Sequence, residues 1–266
     1  MSAKTLSPLM TAWLGARACV FYSGYYLLTV WFGITAPLLV WLPLSMRYRY
    51  VRSWNFVIIR WLALTCGVKF RVHGRANVPK RNCVLIAKHQ SQWETFFLLT
   101  LMAPIVTVLK KELLKIPFFG WGLRTLSPIA IDRSNPKQAM RDIMAQGKLR
   151  LQQGFTVLIF PEGTRVAPGE TSTWARSGAQ LAIDNNVPIL PVAHNAGVYW
   201  PARRFIKFPG TIDVYIGEPV DAGDMSSKEL TEQVKQWIET HSNAQQGNAQ
   251  PGNPEQQNDV KTLENA

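Results

Sequence analysis

No charged side chain occurs between Arg17 and Arg47. A surface helix of a soluble domain carries a polar stripe, and that gap leaves no charged residues from which to build one. It is also longer than the roughly 20 apolar residues needed to cross a bilayer. Acidic residues are scarce: 17 Asp and Glu against 29 Lys and Arg give a formal charge of +12. The three cysteines, Cys19, Cys66 and Cys83, each lie in apolar sequence without CxxC or Cys/His spacing. That excludes a disulfide framework and a zinc site and leaves buried reduced thiols. No G-x-S-x-G turn, metal-ligand cluster or internal repeat is present, which speaks against a lipid hydrolase.

The basic balance implies acidic partners, and composition separates them. Five of the ten Trp, at 13, 31, 41, 54 and 61, are interleaved with Leu, Val and Tyr rather than with Lys and Arg. A membrane surface is therefore favoured over nucleic acid. The apolar stretch is too long for a cleavable signal peptide and lacks a cleavage site. Gly24 and Gly33 interrupt it as a helix, and Pro37 and Pro43 kink or end it. Trp31, Trp41, Tyr22, Tyr25 and Tyr26 suit headgroup depth. Arg47, Arg49 and Arg52 form a basic patch fitting an anionic cytoplasmic surface. A second apolar stretch, Trp54 to Cys66, carries Arg60 in its middle, placed to snorkel. Residues 1–66 are expected to anchor the chain, spanning once or dipping as a hairpin into one leaflet.

From Val68 short apolar strands alternate with amphipathic helices. Strands are predicted at Lys69–Val72, Cys83–Ala87, Val106–Leu109, Pro128–Ile131, Phe155–Phe160, Ile189–Ala193 and Ile212–Ile216. Helices are predicted at Ser91–Met102, Lys137–Gln152, Thr173–Asp184 and Ser226–His241. The pattern predicts an α/β domain over 67–241 with a mixed, largely parallel sheet flanked by helices. Residues 242–266, rich in Gln, Asn, Gly and Pro, read as a disordered tail.

The strand Cys83–Ala87 runs into Lys88-His89 and then a helix start bearing Glu94. A histidine with a carboxylate about one helical turn on can serve as a general base and its orienting partner. Ser91-Gln92-Trp93-Glu94 is equally a capping box, in which Glu94 merely closes the helix. Phe160-Pro161-Glu162-Gly163-Thr164-Arg165 follows another strand, with Gly for close backbone approach and Arg for gripping an anion; the alternative is a surface turn. Lys110 and Lys111 emerge after a third strand, where a solvated charge run is the plainer reading. In an open α/β sheet these strand ends share one edge, where ligands bind. A base and cations at one crevice, on a membrane-tethered domain, point to chemistry on a phosphorylated lipid.

His89–Glu94, Lys110–Leu113 with Pro117–Gly120 and Ile131–Arg133, Phe160–Arg165, and Val187–Val192 follow the order of the four sequence blocks of the glycerolipid acyltransferases. Over roughly residues 68–220 the chain resembles the bacterial members acting on 1-acyl-sn-glycerol 3-phosphate, with Glu94 where the family usually has Asp. The resemblance implies acyl transfer from acyl-CoA or acyl-carrier protein to the sn-2 hydroxyl of lysophosphatidic acid, giving phosphatidic acid, with no metal or bound cofactor. It makes His89 the base, Glu94 its orienter, and Arg165 with Lys110 or Lys111 the phosphate grip. Glu162, Gly163 and Thr164 then shape the acceptor loop. Backbone N–H groups of the helix start after His89 are expected to meet the oxyanion. The expected location is the bacterial inner membrane, with the catalytic domain facing the cytoplasm and the bilayer as partner. Other lysophospholipids, glycerol 3-phosphate, an aminolipid acceptor, or lipid binding without catalysis are the alternatives.

Overall fold

A computed structural model describes residues 7–248, with side chains to residue 242. In chain order the elements are α1 (Pro8–Leu38), α2 (Leu44–Cys66), β1 (Val68–His73), β2 (Val84–Ala87), α3 (Trp93–Leu101), β3 (Ile105–Lys110), α4 (Phe119–Arg124), β4 (Ile129–Ile131), α5 (Pro136–Gln152), β5 (Thr156–Ile159), α6 (Ser177–Asp184), β6 (Ile189–His194), α7 (Ala196–Tyr199), β7 (Gly210–Ile216) and α8 (Ser227–Asn248). All seven predicted strands are present. The short helices α4 and α7 went unpredicted because neither is long enough to display a helical period. Helix α8 runs past the expected start of the polar tail at 242, and the rest of that tail, from 249, lies outside the described residues.

The strands form one sheet in the order β1-β7-β6-β2-β5-β3-β4. Strands β6, β2, β5, β3 and β4 are mutually parallel, whereas β7 pairs antiparallel to β6 and parallel to β1. Every residue of β2, β5 and β6 is buried. A strand buried at successive positions has both faces covered, so its sequence reads as a continuous apolar run rather than an alternation. Helices α5, α6 and α8 pack together on the sheet, and α1, α2, α3 and α4 form a second group. Because five strands run the same way, the segments after β2, β3, β4, β5 and β6 emerge at one edge.

The N-terminal helices belong to this packing. Tyr48, Trp54, Ile58, Leu62 and Cys66 of α2 and Phe21 of α1 join the core cluster that contains β2, β5 and β6. Helix α1 is unbroken through Gly24 and Gly33. These glycines are points of close approach: a Cβ at Gly24 would lie 2.3 Å from the Trp61 indole, and one at Gly33 would lie 2.5 Å from the Phe118 backbone. Pro37 sits in the last turn, and Pro43 precedes α2. The basic patch is used internally in part, since Arg47 Nη1 donates to the Thr125 carbonyl at 3.1 Å and Arg52 Nη2 to that of Thr100 at 2.8 Å. The outer face of α1 and the following turn stay apolar and exposed, with Trp13, Leu27, Trp31 and Leu38 uncovered and Trp41 90% exposed. Helix α1 is long and apolar enough to cross a membrane.

Candidate active site

His89 stands directly after β2, where the strand ends and the chain turns into α3. Its Nδ1 lies 2.8 Å from Glu94 Oε1. The same oxygen accepts the backbone N–H of Gln90 at 2.9 Å and of Ser91 at 2.7 Å. Capping and orienting are thus one arrangement: three donors converge on a single carboxylate oxygen. Because a carboxylate only accepts, Nδ1 carries the proton and the opposite nitrogen, Nε2, is the basic one. Nε2 has no hydrogen-bond partner among the described residues and His89 lines an open cleft. The ring is held flat against Phe160, with centroids 4.4 Å apart.

Glu94 is fully buried. Burial alone would raise its carboxyl, but the hydrogen bond from His89 and the Ser91 N–H outweigh it and hold the group below its ordinary range. The residue is therefore ionised, as an orienting partner must be. Burial pushes His194 down and keeps it neutral, with Nε2 donating to the Lys88 carbonyl at 2.9 Å.

The loop after β5 clamps His89 from the other side. Glu162 Oε2 accepts the His89 backbone N–H at 2.6 Å, and the Val166 N–H donates to the His89 carbonyl at 2.8 Å. Gly163 has φ +67°, a conformation that costs glycine nothing. Its carbonyl accepts Arg133 Nη1, which ties the segment after β4 into the same edge. Thr164 is exposed. Glu162 therefore holds the backbone of His89. Burial raises its carboxyl to about 7, against the opposing pull of the His89 N–H and of Lys88. A carboxyl with a raised folded-state pKa binds more protons folded than unfolded, so its contribution to stability is lost as pH rises through that value. Wild-type protein should lose thermal stability between about pH 5 and about pH 8 more steeply than Glu162→Gln. Parallel melting profiles for the two would show that burial exerts no such proton-linked effect.

Arg165 lines the cleft that holds His89 and donates through Nε to the Ser91 carbonyl at 3.2 Å, while its terminal nitrogens have no hydrogen-bond partner among the described residues. Arg133 lines the same cleft. Lys110 and Lys111 do not. Lys111 pairs with Asp132, and Lys110 lies 3.7 Å from Glu112, both about half exposed. The second cation at the cleft is therefore Arg133, one strand further along the edge. It stands in the block Ile131–Arg133 that the sequence singles out, but nothing local marks it as facing the cleft. Of the backbone donors expected for an oxyanion, the N–H groups of His89, Gln90, Ser91 and Trp93 bond to Glu162, to Glu94 twice and to Ser91 Oγ, whereas that of Gln92, a residue lining the cleft, has no partner among the described residues. Beyond the polar end the cleft, of 640 Å³, continues between Phe96 and Leu99 of α3, Val108 of β3, Ile116 and Phe119. Tyr22, Tyr25 and Thr29 of α1 form one wall, a role that no local pattern announces. Cys83 is buried on the strand leading to His89, and burial raises its thiol to about 11, which suits packing and not nucleophilic attack.

The chain is similar to known proteins over most of its length. The profile of the family described as Acyltransferase matches residues 69–195, which contain His89, Glu94, Arg133 and Arg165. The chain is 45% identical over 201 residues to a 1-acyl-sn-glycerol-3-phosphate acyltransferase of Pseudomonas aeruginosa, covering 74% of this chain and 78% of that protein. It is 28% identical over 193 residues to a protein of the same description from Limnanthes douglasii, covering 71% and 68%. Among solved structures, the 1-acyl-sn-glycerophosphate (LPA) acyltransferase of Thermotoga maritima superposes with a TM-score of 0.72 at 26% identity, over 90% of this chain and 97% of that one. A shared sheet, an identity of 45% across most of both chains and a His–carboxylate pair at the strand edge place this protein in the 1-acyl-sn-glycerol-3-phosphate acyltransferase family.

Proposed function

We propose that the protein moves a fatty acyl group from an acyl thioester to the sn-2 hydroxyl of lysophosphatidic acid, giving phosphatidic acid. His89 Nε2 takes the hydroxyl proton as the oxygen attacks the thioester carbonyl. The carbon–sulfur bond then breaks, and the imidazolium returns its proton to the departing thiolate. Glu94 keeps the proton on Nδ1 throughout and stabilises the cation. Arg165 and Arg133 grip the acceptor's phosphate, since guanidinium forks match phosphate oxygens. The apolar end of the cleft takes an acyl chain. The observation that carries the reading is the 2.8 Å His89–Glu94 pair opening onto the cleft that Arg133 and Arg165 line. The donor is acyl-CoA or acyl-carrier protein, and no metal or bound cofactor takes part in these steps. The exposed apolar face of α1 supports a site held at a bilayer surface, in bacteria the inner membrane with the domain toward the cytoplasm.

One radiolabelled acyl thioester and a panel of acceptors test this. Product should form with lysophosphatidic acid and not with glycerol 3-phosphate, lysophosphatidylcholine or an aminolipid. Preference for another acceptor reassigns the substrate, and acceptor binding without thioester consumption makes the protein a lipid carrier. Arg165→Ala should raise the KM for lysophosphatidic acid about 10- to 100-fold, the loss of one or two charge-assisted hydrogen bonds, with a smaller change in kcat. An unchanged KM removes Arg165 from the phosphate site.

A further inference from the structure

A second basic cleft, of 470 Å³, opens beside the first and shares Tyr22, Tyr26, Gln92 and Arg165 with it. Its far side is the loop after α7, where Arg203 and Arg204 stand exposed. Neither arginine, nor Arg165, has a carboxylate partner among the described residues, although ion pairs are made elsewhere on the surface. The loop is built to hold this shape. Arg203 has φ +76°, a left-handed conformation unfavourable for any residue but glycine. Below it Lys207 is 1% exposed and donates Nζ to the carbonyls of Arg204 at 2.7 Å and Phe205 at 2.8 Å. Its ammonium lies 4.9 Å from the Tyr22 ring centre and 5.3 Å from that of Trp200. Burying an ammonium to pin two carbonyls and present two unpaired guanidiniums outward is expensive unless an anion binds there.

The proposed reaction brings two phosphorylated molecules together, and the cleft beside His89 supplies Arg133 and Arg165 for one of them. An acyl thioester reacts at the junction between its acyl chain and its phosphorylated arm. With its carbonyl at His89 and its chain in the apolar channel, that arm leaves past Gln92 and Arg165 toward Arg203 and Arg204. The geometry points to this second cleft as the binding site for the phosphate groups of the acyl donor's phosphopantetheine arm. The inference rests on the acyltransferase reading above. Both candidate donors carry this arm, one ending in a nucleotide bisphosphate and the other in an acidic protein.

The test uses the full chain in detergent and the double variant Arg203→Gln/Arg204→Gln. At saturating lysophosphatidic acid, the KM for palmitoyl-CoA or for palmitoyl-carrier protein should rise at least about tenfold, while the KM for lysophosphatidic acid stays within about twofold. A rise for only one donor identifies the source of the arm. Unchanged KM values for both donors overturn the assignment. So does a rise for lysophosphatidic acid alone, which makes this the acceptor's headgroup site, or a loss confined to affinity for phosphatidylglycerol vesicles, which makes it a membrane contact. Should the variant fail to fold, inhibition of the wild type decides: 4′-phosphopantetheine must compete with the donor and not with lysophosphatidic acid. Calorimetric titration of wild type and variant with CoA and with 4′-phosphopantetheine reads the site without turnover. Binding lost in the variant, in a protein that acylates no acceptor, upholds the site and sinks the reaction instead.

Discussion

His89→Ala is expected to lose about 10³-fold or more in kcat while the protein stays folded, because nothing else at the cleft can take the hydroxyl proton. The neighbouring titratable groups are committed. Glu94 is ionised but fully buried, with three donors on its Oε1, and neutral His194 is turned to the Lys88 carbonyl. Glu162 is clamped to the His89 N–H. The imidazole is packed on Phe160 but lies near the surface of the cleft, so its loss leaves a small void and little strain. A steady-state assay alongside a melting curve separates the two effects. Near-normal turnover in a folded variant would remove the base assignment.

Glu94→Gln is the sharper of the two largest predictions, since it keeps shape and removes charge. The amide oxygen can still accept from Gln90 and Ser91, so a helix cap alone would lose about 1 kcal/mol or less. Orientation of the base is worth much more. With its oxygen in the place of Oε1 the amide keeps all three donors but has lost the charge; with its NH2 there it loses the cap and forces the ring proton onto Nε2, the atom that must be basic. Loss of the buried charge also destabilises the imidazolium. We expect kcat to fall about 10²- to 10⁴-fold with a modest change in melting temperature. A variant that is only less thermostable, with kcat intact, would reduce Glu94 to a cap. Glu94→Asp offers a second reading: the shorter chain must give up either the imidazole or the backbone donors, so partial activity with lower stability is expected.

How far the sequence reached follows from which signals are local. The strands β2, β5 and β6 are legible because full burial on both faces requires unbroken apolar runs. The pairing of His89 with Glu94 is legible because five residues across a strand-to-helix turn fix the two groups by backbone geometry alone. The sequence points to Lys110 and Lys111 and not to Arg133, since charge counts do not say which cations are already paired. Only the Lys111–Asp132 contact, 21 residues apart, shows that. The glycines of α1 read as breaks because helix propensity is local, whereas their use, approach to Trp61 and Phe118, depends on tertiary packing. The wall contributed by Tyr22 and Tyr25 has the same origin: aromatic residues in an apolar helix look alike whether they face lipid or a reaction chamber.

One helix with two duties has a practical consequence. The segment whose outer side invites removal, to obtain a protein that is easy to handle in water, also closes the chamber on its inner side. A shortened version beginning after residue 43 would keep the catalytic pair yet leave its chamber open to solvent along one flank. Dispersing short, freely soluble reactants would not rescue it, because what has been cut away is part of the vessel and not merely its mooring.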